Sequence, residues 1–290
     1  MTIDKFFLDS GAFSADKQGK PIILQDYIDF IKEHEGHLTA YAVLDVIGDY
    51  EKSWENQDIM EDQGLKPLPV FHMEDPEFCL DWCIEYDYFC LGGMAGNPSR
   101  NRRIDFLDSC WDRITDSKGF PKCKVHGFGM ASSELIARYP WYSVDSSSPV
   151  SYSTNGYVIM PNISAGVFNY EKPPYVFFVS ARPSKADKGT IHLQYYSENE
   201  KKVFQDYIEK DLGIPFGKSV IFEVSEEYEC KENEKKFGKK KDLVERIEEE
   251  GVINSDFYRN VANYKFYAEM CARQPKFPNN RWKFKKRKLF

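Results

Sequence analysis

The chain has 290 residues, 42% of them hydrophobic and 29% charged, with a formal net charge of −7. That is room for one large domain, or for a domain of roughly 200–250 residues with a small appendage. No apolar run approaches the roughly 18 residues of a membrane span, Met1–Lys5 lacks the basic and apolar stretches of a signal peptide, and the seven cysteines follow no framework spacing. Together these point to reduced thiols, a cytoplasmic location and no membrane partner.

In chain order, the first half alternates short β-rich runs with amphipathic helical patterns. Phe6–Leu8 reads as a strand followed by a loop through Asp9-Ser10-Gly11-Ala12-Phe13. Leu24, Tyr27, Ile28 and Ile31 then show helical spacing. Thr39–Leu44 is a predicted strand ending at Asp45, and Ser53–Gln63 a polar helix. Leu68–Phe71 is a strand ending at His72, with a helix over Pro76–Tyr86. Tyr88–Leu91 is a strand running into Gly92-Gly93, and Arg102–Thr115 a helix. Lys124–His126 is a strand, Ser132–Tyr139 a helix capped by Ser132, and Tyr142–Val144 a strand ending at Asp145.

Strand–helix repeats without hairpin signals imply parallel strands joined by crossover helices. A doubly wound sheet and a (β/α)8 barrel both satisfy that pattern. The polar residues favour the barrel. Asp9, Asp45, His72, Gly92-Gly93, His126 and Asp145 all fall at the C-terminal ends of successive strands, and a barrel gathers such ends at one mouth. An open sheet concentrates them at one or two switch points instead.

Beyond Ser148 the pattern loosens. Gly156–Met160, Val176–Ser180 and Val220–Val224 are predicted strands and Lys201–Leu212 a helix, the candidates for the remaining barrel elements. Glu229–Lys241 is charged, and Leu243–Glu250 and Asp256–Arg273 read as terminal helices. The expected fold class is therefore α/β, a (β/α)8 barrel over residues 1–228, with a charged helical extension and basic tail over 229–290. From Cys271 to Phe290 there is no acidic residue. Arg281, Lys283, Lys285, Lys286 and Arg287 are interleaved there with Trp282 and Phe284. Cations among aromatics suit a phosphate backbone with partly exposed bases; a solubilising tail has the same composition.

Asp9 directly follows an apolar strand and precedes Ser-Gly, a natural setting for a ligand loop and equally for an Asx-turn or helix cap. Asp145 is delivered by a strand into Ser146-Ser147-Ser148. Two carboxylates across one barrel mouth can act as nucleophile and proton-transfer group in substitution at an anomeric carbon with retention. Gly92-Gly93-Met94 offers amides that a ligand carbonyl can approach closely, or a plain turn. His72 and His126 have no other histidine at metal-ligand spacing. Cys79, Cys83 and Cys90 form no C-x2-C pair and read as buried thiols.

These residues resemble a known family. Asp9-Ser10-Gly11-Ala12-Phe13 is similar to the Asp-Ser-Gly-Gly-Phe/Tyr-Gln loop of tRNA-guanine transglycosylases. Leu44-Asp45 resembles that family's Phe-Asp strand end, and Val70-Phe71-His72 stands where it has Val-Gln. Leu91-Gly92-Gly93-Met94-Ala95 is similar to Gly-Gly-Leu-Ala, and His126-Gly127-Phe128-Gly129 with Val144-Asp145 to Met-Gly-Val-Gly and the nucleophile strand. The order holds over residues 1–150.

The resemblance implies a (β/α)8 barrel in which Asp145 attacks C1′ of a guanosine and Asp9 is the general acid/base. It further implies a base site of Phe13, Ser10, Asp45, His72, Gly92, Gly93, Met94 and His126. The family's Cys-x-Cys-x2-Cys…His zinc site cannot be built here, because only Cys230 and Cys271 follow Asp145; no metal and no cofactor are expected. The lack of zinc and the short chain resemble the DNA-modifying branch of phages and bacterial gene clusters, which inserts 7-deazaguanines such as preQ0. The implied partners are DNA, with its guanine flipped or single-stranded, and the free base; Arg100, Arg102 and Arg103 join the tail as phosphate-binding candidates. For a phage-encoded chain the compartment is the host cytoplasm. The alternatives are the same exchange on tRNA, a non-catalytic barrel partner subunit, and a glycoside hydrolase.

Overall fold

A computed structural model describes residues 6–94, 98–182, 192–238 and 242–274. The chain divides into two compact units, one holding the described residues up to 131 together with 138–146, the other those of 132–137 and 147–274.

The first unit is built from parallel strands and helices in alternation. Its elements are β1 (Phe6–Leu8), α1 (Ala12–Gln18), α2 (Leu24–His34), β2 (Leu38–Tyr41), α3 (Tyr50–Asp62), β3 (Val70–Phe71), α4 (Glu77–Ile84), β4 (Tyr88–Leu91), α5 (Arg100–Ile114), β5 (Lys124–Gly127) and β6 (Ser143–Val144). β1 pairs with β2, and β3 to β6 pair in sequence, every pair parallel. A parallel bridge between Ala42 and Leu68 joins β2 to β3, so the six strands lie in chain order.

This sheet is strongly curled. The Phe7 ring of β1 stacks on the His126 ring of β5, centroids 4.1 Å apart and planes 13° from parallel. In a flat sheet, four strand spacings would separate those positions by about 19 Å. Curling turns one face inward, and Phe7, Tyr88 and Phe128 pack against a buried cluster that includes Ala42, Val70 and Cys90. Among the described residues the hydrogen-bonded strands do not close into a complete barrel.

The predicted helices at Leu24–Ile31 and within Arg102–Thr115 form as α2 and α5, burying Ile28, Ile31, Leu107 and Trp111. α1 is a difference from the sequence reading, which has a loop there. Gly11, at φ 75°, reverses the chain after Asp9 in the left-handed region that glycine adopts without strain, and Gly19 at φ 61° ends the helix the same way.

A short α6 (Ser133–Arg138) precedes β6 in the chain, and all of it but Arg138 belongs to the second unit. The same unit contains α7 (Ser148–Thr154), β7 (Tyr157–Met160), β8 (Asn162–Ser164), β9 (Val167–Asn169), β10 (Tyr175–Phe178), α8 (Glu198–Asp206), β11 (Lys218–Glu223), β12 (Glu234–Phe237), β13 (Leu243–Glu249) and α9 (Asp256–Ala272). β7 and β10, expected to continue the parallel series, pair antiparallel with each other. The cause is local: Ala165 and Gly166, both at positive φ, make the two-residue turn that folds β8 onto β9 and sends the chain back alongside β7.

The expected helix over Leu243–Glu250 is a strand. β13 is the centre of a three-stranded antiparallel sheet with β11 and β12 on either side. Leu243, Val244 and Ile247 have helix-like spacing, but Glu245 is buried against Ser219 and Arg182, and two-sided pairing overrides the local preference. The expected helical extension is thus a helix only over α9, and the 228/229 division falls inside this sheet. The buried face of α9 carries Ala262, Phe266 and Met270; the core beside it includes Val158, Phe177, Phe204 and Ile208. Among the described residues no helix is long and apolar enough to cross a membrane.

Candidate active site

The candidate residues before position 146 belong to the first unit, and Asp9, Asp45, His72 and Asp145 lie just beyond the C-terminal ends of its parallel strands. Asp9 follows β1. Its Oδ1 accepts the Gly11 N–H at 3.3 Å, so the Asx-turn is present alongside whatever else the carboxylate does. Partial burial pushes the Asp9 carboxyl up from its usual range. The Gly11 amide opposes this, while the charges of Asp145 and Asp45 reinforce it and His126 offsets part of it. Asp9 and Asp145, 136 positions apart in the chain, both flank one stacked ring pair: Asp9 is two residues after Phe7, and Asp145 Oδ1 is 3.5 Å from His126 Nε2.

Asp45 sits in the loop after β2, and α3 shapes that loop. The polar face of α3 is a buried face: Asn56 Nδ2 donates to the Leu44 carbonyl at 2.7 Å and Ser53 Oγ accepts the Val46 N–H at 2.8 Å, holding the backbone on both sides of Asp45. The Asp45 carboxylate is itself buried and held at both oxygens. Ser10 Oγ donates to Oδ1 at 2.8 Å, and His72 Nε2 lies 2.9 Å from Oδ2. Ser10 Oγ also accepts the Ala12 N–H at 3.2 Å, tying the start of α1 to the same carboxylate.

His72 follows β3, and its backbone N–H donates to Asp75 Oδ2 at 2.7 Å. Burial lowers the His72 pKa, but the hydrogen bond and charge of Asp45 together with Asp75 outweigh it, so the imidazolium is favoured over the usual histidine. The ring rests on Gly92. A β-carbon there would lie 2.6 Å from His72 Nδ1, and one on Gly93 (φ 75°) would lie 2.6 Å from the Met73 nitrogen. The glycine pair is thus required by the packing of the β3–α4 turn. The Gly92 N–H already donates to the Phe71 carbonyl at 2.9 Å, leaving it no hydrogen for a ligand; Met94 beyond is buried.

His126, in β5, is only 2% exposed. Phe7 covers one ring face, and the Phe128 ring stands at 76° to it with centroids 4.8 Å apart. Its Nδ1 meets Ser143 Oγ at 2.6 Å, while Nε2 has no hydrogen-bond partner among the described residues and lies 3.5 Å from Asp145 Oδ1. Asp145, 44% exposed, follows β6, and the Gly129 N–H donates to its Oδ1 at 2.9 Å.

A cleft of about 270 Å³ opens beside Asp45, lined among others by Ala12, Ala15, Ile22, Leu44 and Ile47. It is slightly smaller than an ordinary small-molecule pocket of roughly 300–1,000 Å³, a size for one flat ring system. Phe13, 38% exposed, lies in the first turn of α1 with the Lys17 ammonium 4.0 Å from its ring centroid.

Arg100, Arg102 and Arg103 fall in the first turn of α5, where Ser99 caps the Arg102 N–H and Arg102 pairs with Glu74. The tail candidates Arg281, Lys283, Lys285, Lys286 and Arg287 lie outside the described residues. Cys79, Cys83, Cys90 and Cys110 are buried thiols. Burial raises all four, Cys79 to about 11, so they are poor nucleophiles. Among the described residues no cluster of three His, Cys, Asp or Glu side chains is arranged to hold a metal ion.

Sequence reasoning missed Ser143, Tyr88, Phe7, Asn56 and Asp75. Three of them carry a readable signal: Phe7 and Asp9, and likewise Ser143 and Asp145, are two residues apart and so share a strand face, as do Tyr88 and Cys90. Neither a family model nor a curated protein matches the chain.

Proposed function

We propose that the chain is a base-exchange transglycosylase that replaces guanine in DNA with a 7-deazaguanine, and that its first unit is the major part of a (β/α)8 barrel. The observation that carries the reading is the stacking of Phe7 in β1 on His126 in β5. It brings the strand end that carries Asp9 toward Asp145, whose Oδ1 lies 3.5 Å from His126 Nε2, and the raised Asp9 carboxyl agrees with that placement. Chain-ordered parallel strands, their curl, and the strand-end placement of Asp9, Asp45, His72 and Asp145 support the barrel.

In this reading Asp145 attacks C1′ as the bond to guanine N9 breaks. The base departs with the electron pair and takes the proton that the raised Asp9 carboxyl holds. A glycosyl ester on Asp145 results. The incoming 7-deazaguanine gives its N9 proton to Asp9, N9 bonds to C1′, and Asp145 leaves as a carboxylate. Asp45, with its remaining lone pairs, meets the N1 and 2-amino edge, Ser10 and His72 hold Asp45, Phe13 stacks on the ring, and Gly93 and Met94 close the far side. Gly92 serves as the floor under His72. C1′ must leave the base stack to reach these groups. Arg100, Arg103 and the basic tail bind phosphates.

The test is incubation with labelled guanine and either DNA or bulk tRNA. Label in DNA supports the proposal, and label in tRNA alone moves the activity to that substrate. No label in either, with no Asp145-linked adduct, refutes base exchange. Deleting residues 275–290 is expected to weaken DNA binding and flatten its salt dependence, by about 0.7–0.9 in slope for each phosphate no longer neutralised; an unchanged slope removes the tail from the interface.

A further inference from the structure

One chain of side chains runs into Asp145 through the inner face of the sheet. Tyr88 OH and Ser143 Oγ are 2.6 Å apart, and Ser143 Oγ and His126 Nδ1 are 2.6 Å apart. Each hydroxyl has one hydrogen to give. The hydrogen bond of Tyr88 among the described residues goes to Ser143, so the phenol donates there, and the serine in turn donates to Nδ1. That makes Nδ1 an acceptor and puts the imidazole hydrogen on Nε2, aimed at Asp145 Oδ1 3.5 Å away. The opposite direction is disfavoured twice. It leaves the phenol hydrogen without an acceptor among the described residues, and in the neutral imidazole it sets the lone pair of the buried Nε2 against a carboxylate oxygen, a costly mismatch.

We propose that Tyr88, Ser143 and His126 form a positioning relay for the nucleophile, in which His126 Nε2–H and the Gly129 N–H together seat Asp145 Oδ1 and leave Oδ2 to attack C1′. The relay rests on the base-exchange reading. The rings of Phe7 and Phe128 fix the imidazole plane, so the hydrogen has one direction to point. The Gly129 bond is already made at 2.9 Å, and the His126 contact shortens by about 0.6 Å to reach ordinary hydrogen-bond length. When Oδ2 bonds to C1′, Oδ1 becomes the ester carbonyl oxygen and keeps both donors. When the incoming base displaces Asp145, the electron pair of the breaking C1′–Oδ2 bond spreads onto Oδ1, where the two donors stabilise it. His126 thereby acts through Asp145, and its burial and covered ring faces make it a poor base-stacking surface.

The first measurement is a side-chain ¹⁵N–¹H correlation spectrum of the free protein, with the His126 signals assigned by their loss in His126→Gln. The expected result is the Nε2–H tautomer in the wild type, giving way to a mixture in Ser143→Ala. An Nδ1–H tautomer in the wild type overturns the relay whatever the activity. The second is the single-turnover rate of Asp145-linked adduct formation. Ser143→Ala and Tyr88→Phe, both mild changes, are expected to slow it about 10–100-fold, the usual cost of removing an outer-shell partner, with the KM for DNA unchanged. His126→Gln, which retains an N–H, is expected to keep more activity than His126→Leu. A change confined to KM, or equal loss in Gln and Leu, overturns the proposal. A wild type with the Nε2–H tautomer and no adduct brings down base exchange and the relay together, whereas an adduct-forming wild type with Nδ1–H brings down the relay alone.

Discussion

In the second unit, Asn263 is fully buried and spends its whole side chain on backbone. Oδ1 accepts the Ile159 N–H at 2.9 Å, and Nδ2 donates to the Tyr157 carbonyl at 3.1 Å and the Pro149 carbonyl at 3.3 Å. Arg259 likewise donates to the carbonyls of Ser153 and Val252, at 2.8 and 2.9 Å. In the first unit, the polar side chains at the strand ends take some backbone amides too, but they also meet one another. Asp45 is shared between Ser10 and His72, the Asp9 carboxyl is raised in part by two other carboxylates, and His126 Nε2, without a hydrogen bond among the described residues, lies 3.5 Å from Asp145. The same residue types stabilise a fold where they satisfy peptide groups, and weaken it where they are held against like charge. Proteins tolerate the second arrangement where it does chemistry.

The sharpest way to break that comparison is Asp145→Ala. It is expected to abolish the covalent adduct and cut exchange by at least about 10⁴-fold, with thermal unfolding close to wild type. Retained turnover would end the nucleophile assignment. Next in size is Asp9→Asn, expected to slow exchange by about 10²–10⁴-fold while making the protein slightly more stable. The carboxyl is raised in the folded state, so its ionisation opposes folding. The gain is therefore present above the folded pKa and vanishes below the usual 3.8. Asp9 is partly buried but still reached by solvent, and screening keeps the gain below about 1 kcal/mol, measurable by urea unfolding at pH 7 and pH 3. A less stable Asp9→Asn variant at pH 7 would place Asp9 with the structural group.

Asn263→Ala tests the other side. Orphaning the Ile159 N–H and two carbonyls is expected to cost about 2–4 kcal/mol in urea unfolding; a neutral result would erase the distinction between the units. The smallest effect expected is at His72. Its folded pKa is raised, so the stability it gains from Asp45 is fully present below the usual 6.5 and is lost as pH rises through the folded value. His72→Gln is expected to cost on the order of 1 kcal/mol at pH 5.5 and less at pH 9. A cost that grows with pH would mean that His72 is held neutral.

Strand–helix alternation and strand-end polarity were legible because both are local. Phe6–Leu8 with Asp9, and Leu68–Phe71 with His72, are recognisable as apolar runs closed by a polar residue. α1 was not legible, because Ser10-Gly11 reads as a loop until the left-handed Gly11 and the Ser10 hydroxyl are seen to start a helix. β13 was not legible either, since Leu243, Val244 and Ile247 fit a helical stripe and only the strands on both sides overrule it.

The sequence by itself determined the order of the elements and which strand ends carry carboxylates and histidines, since the 2.0 and 3.6 periodicities are properties of the chain next to itself. Tertiary structure alone decided which of those groups meet. The curl that stacks Phe7 on His126, 119 positions away, also brings the strand end that carries Asp9 toward Asp145, and strand register sets Ser143 beside His126. Those meetings depend on long-range packing of many side chains, and no window of neighbouring residues contains them.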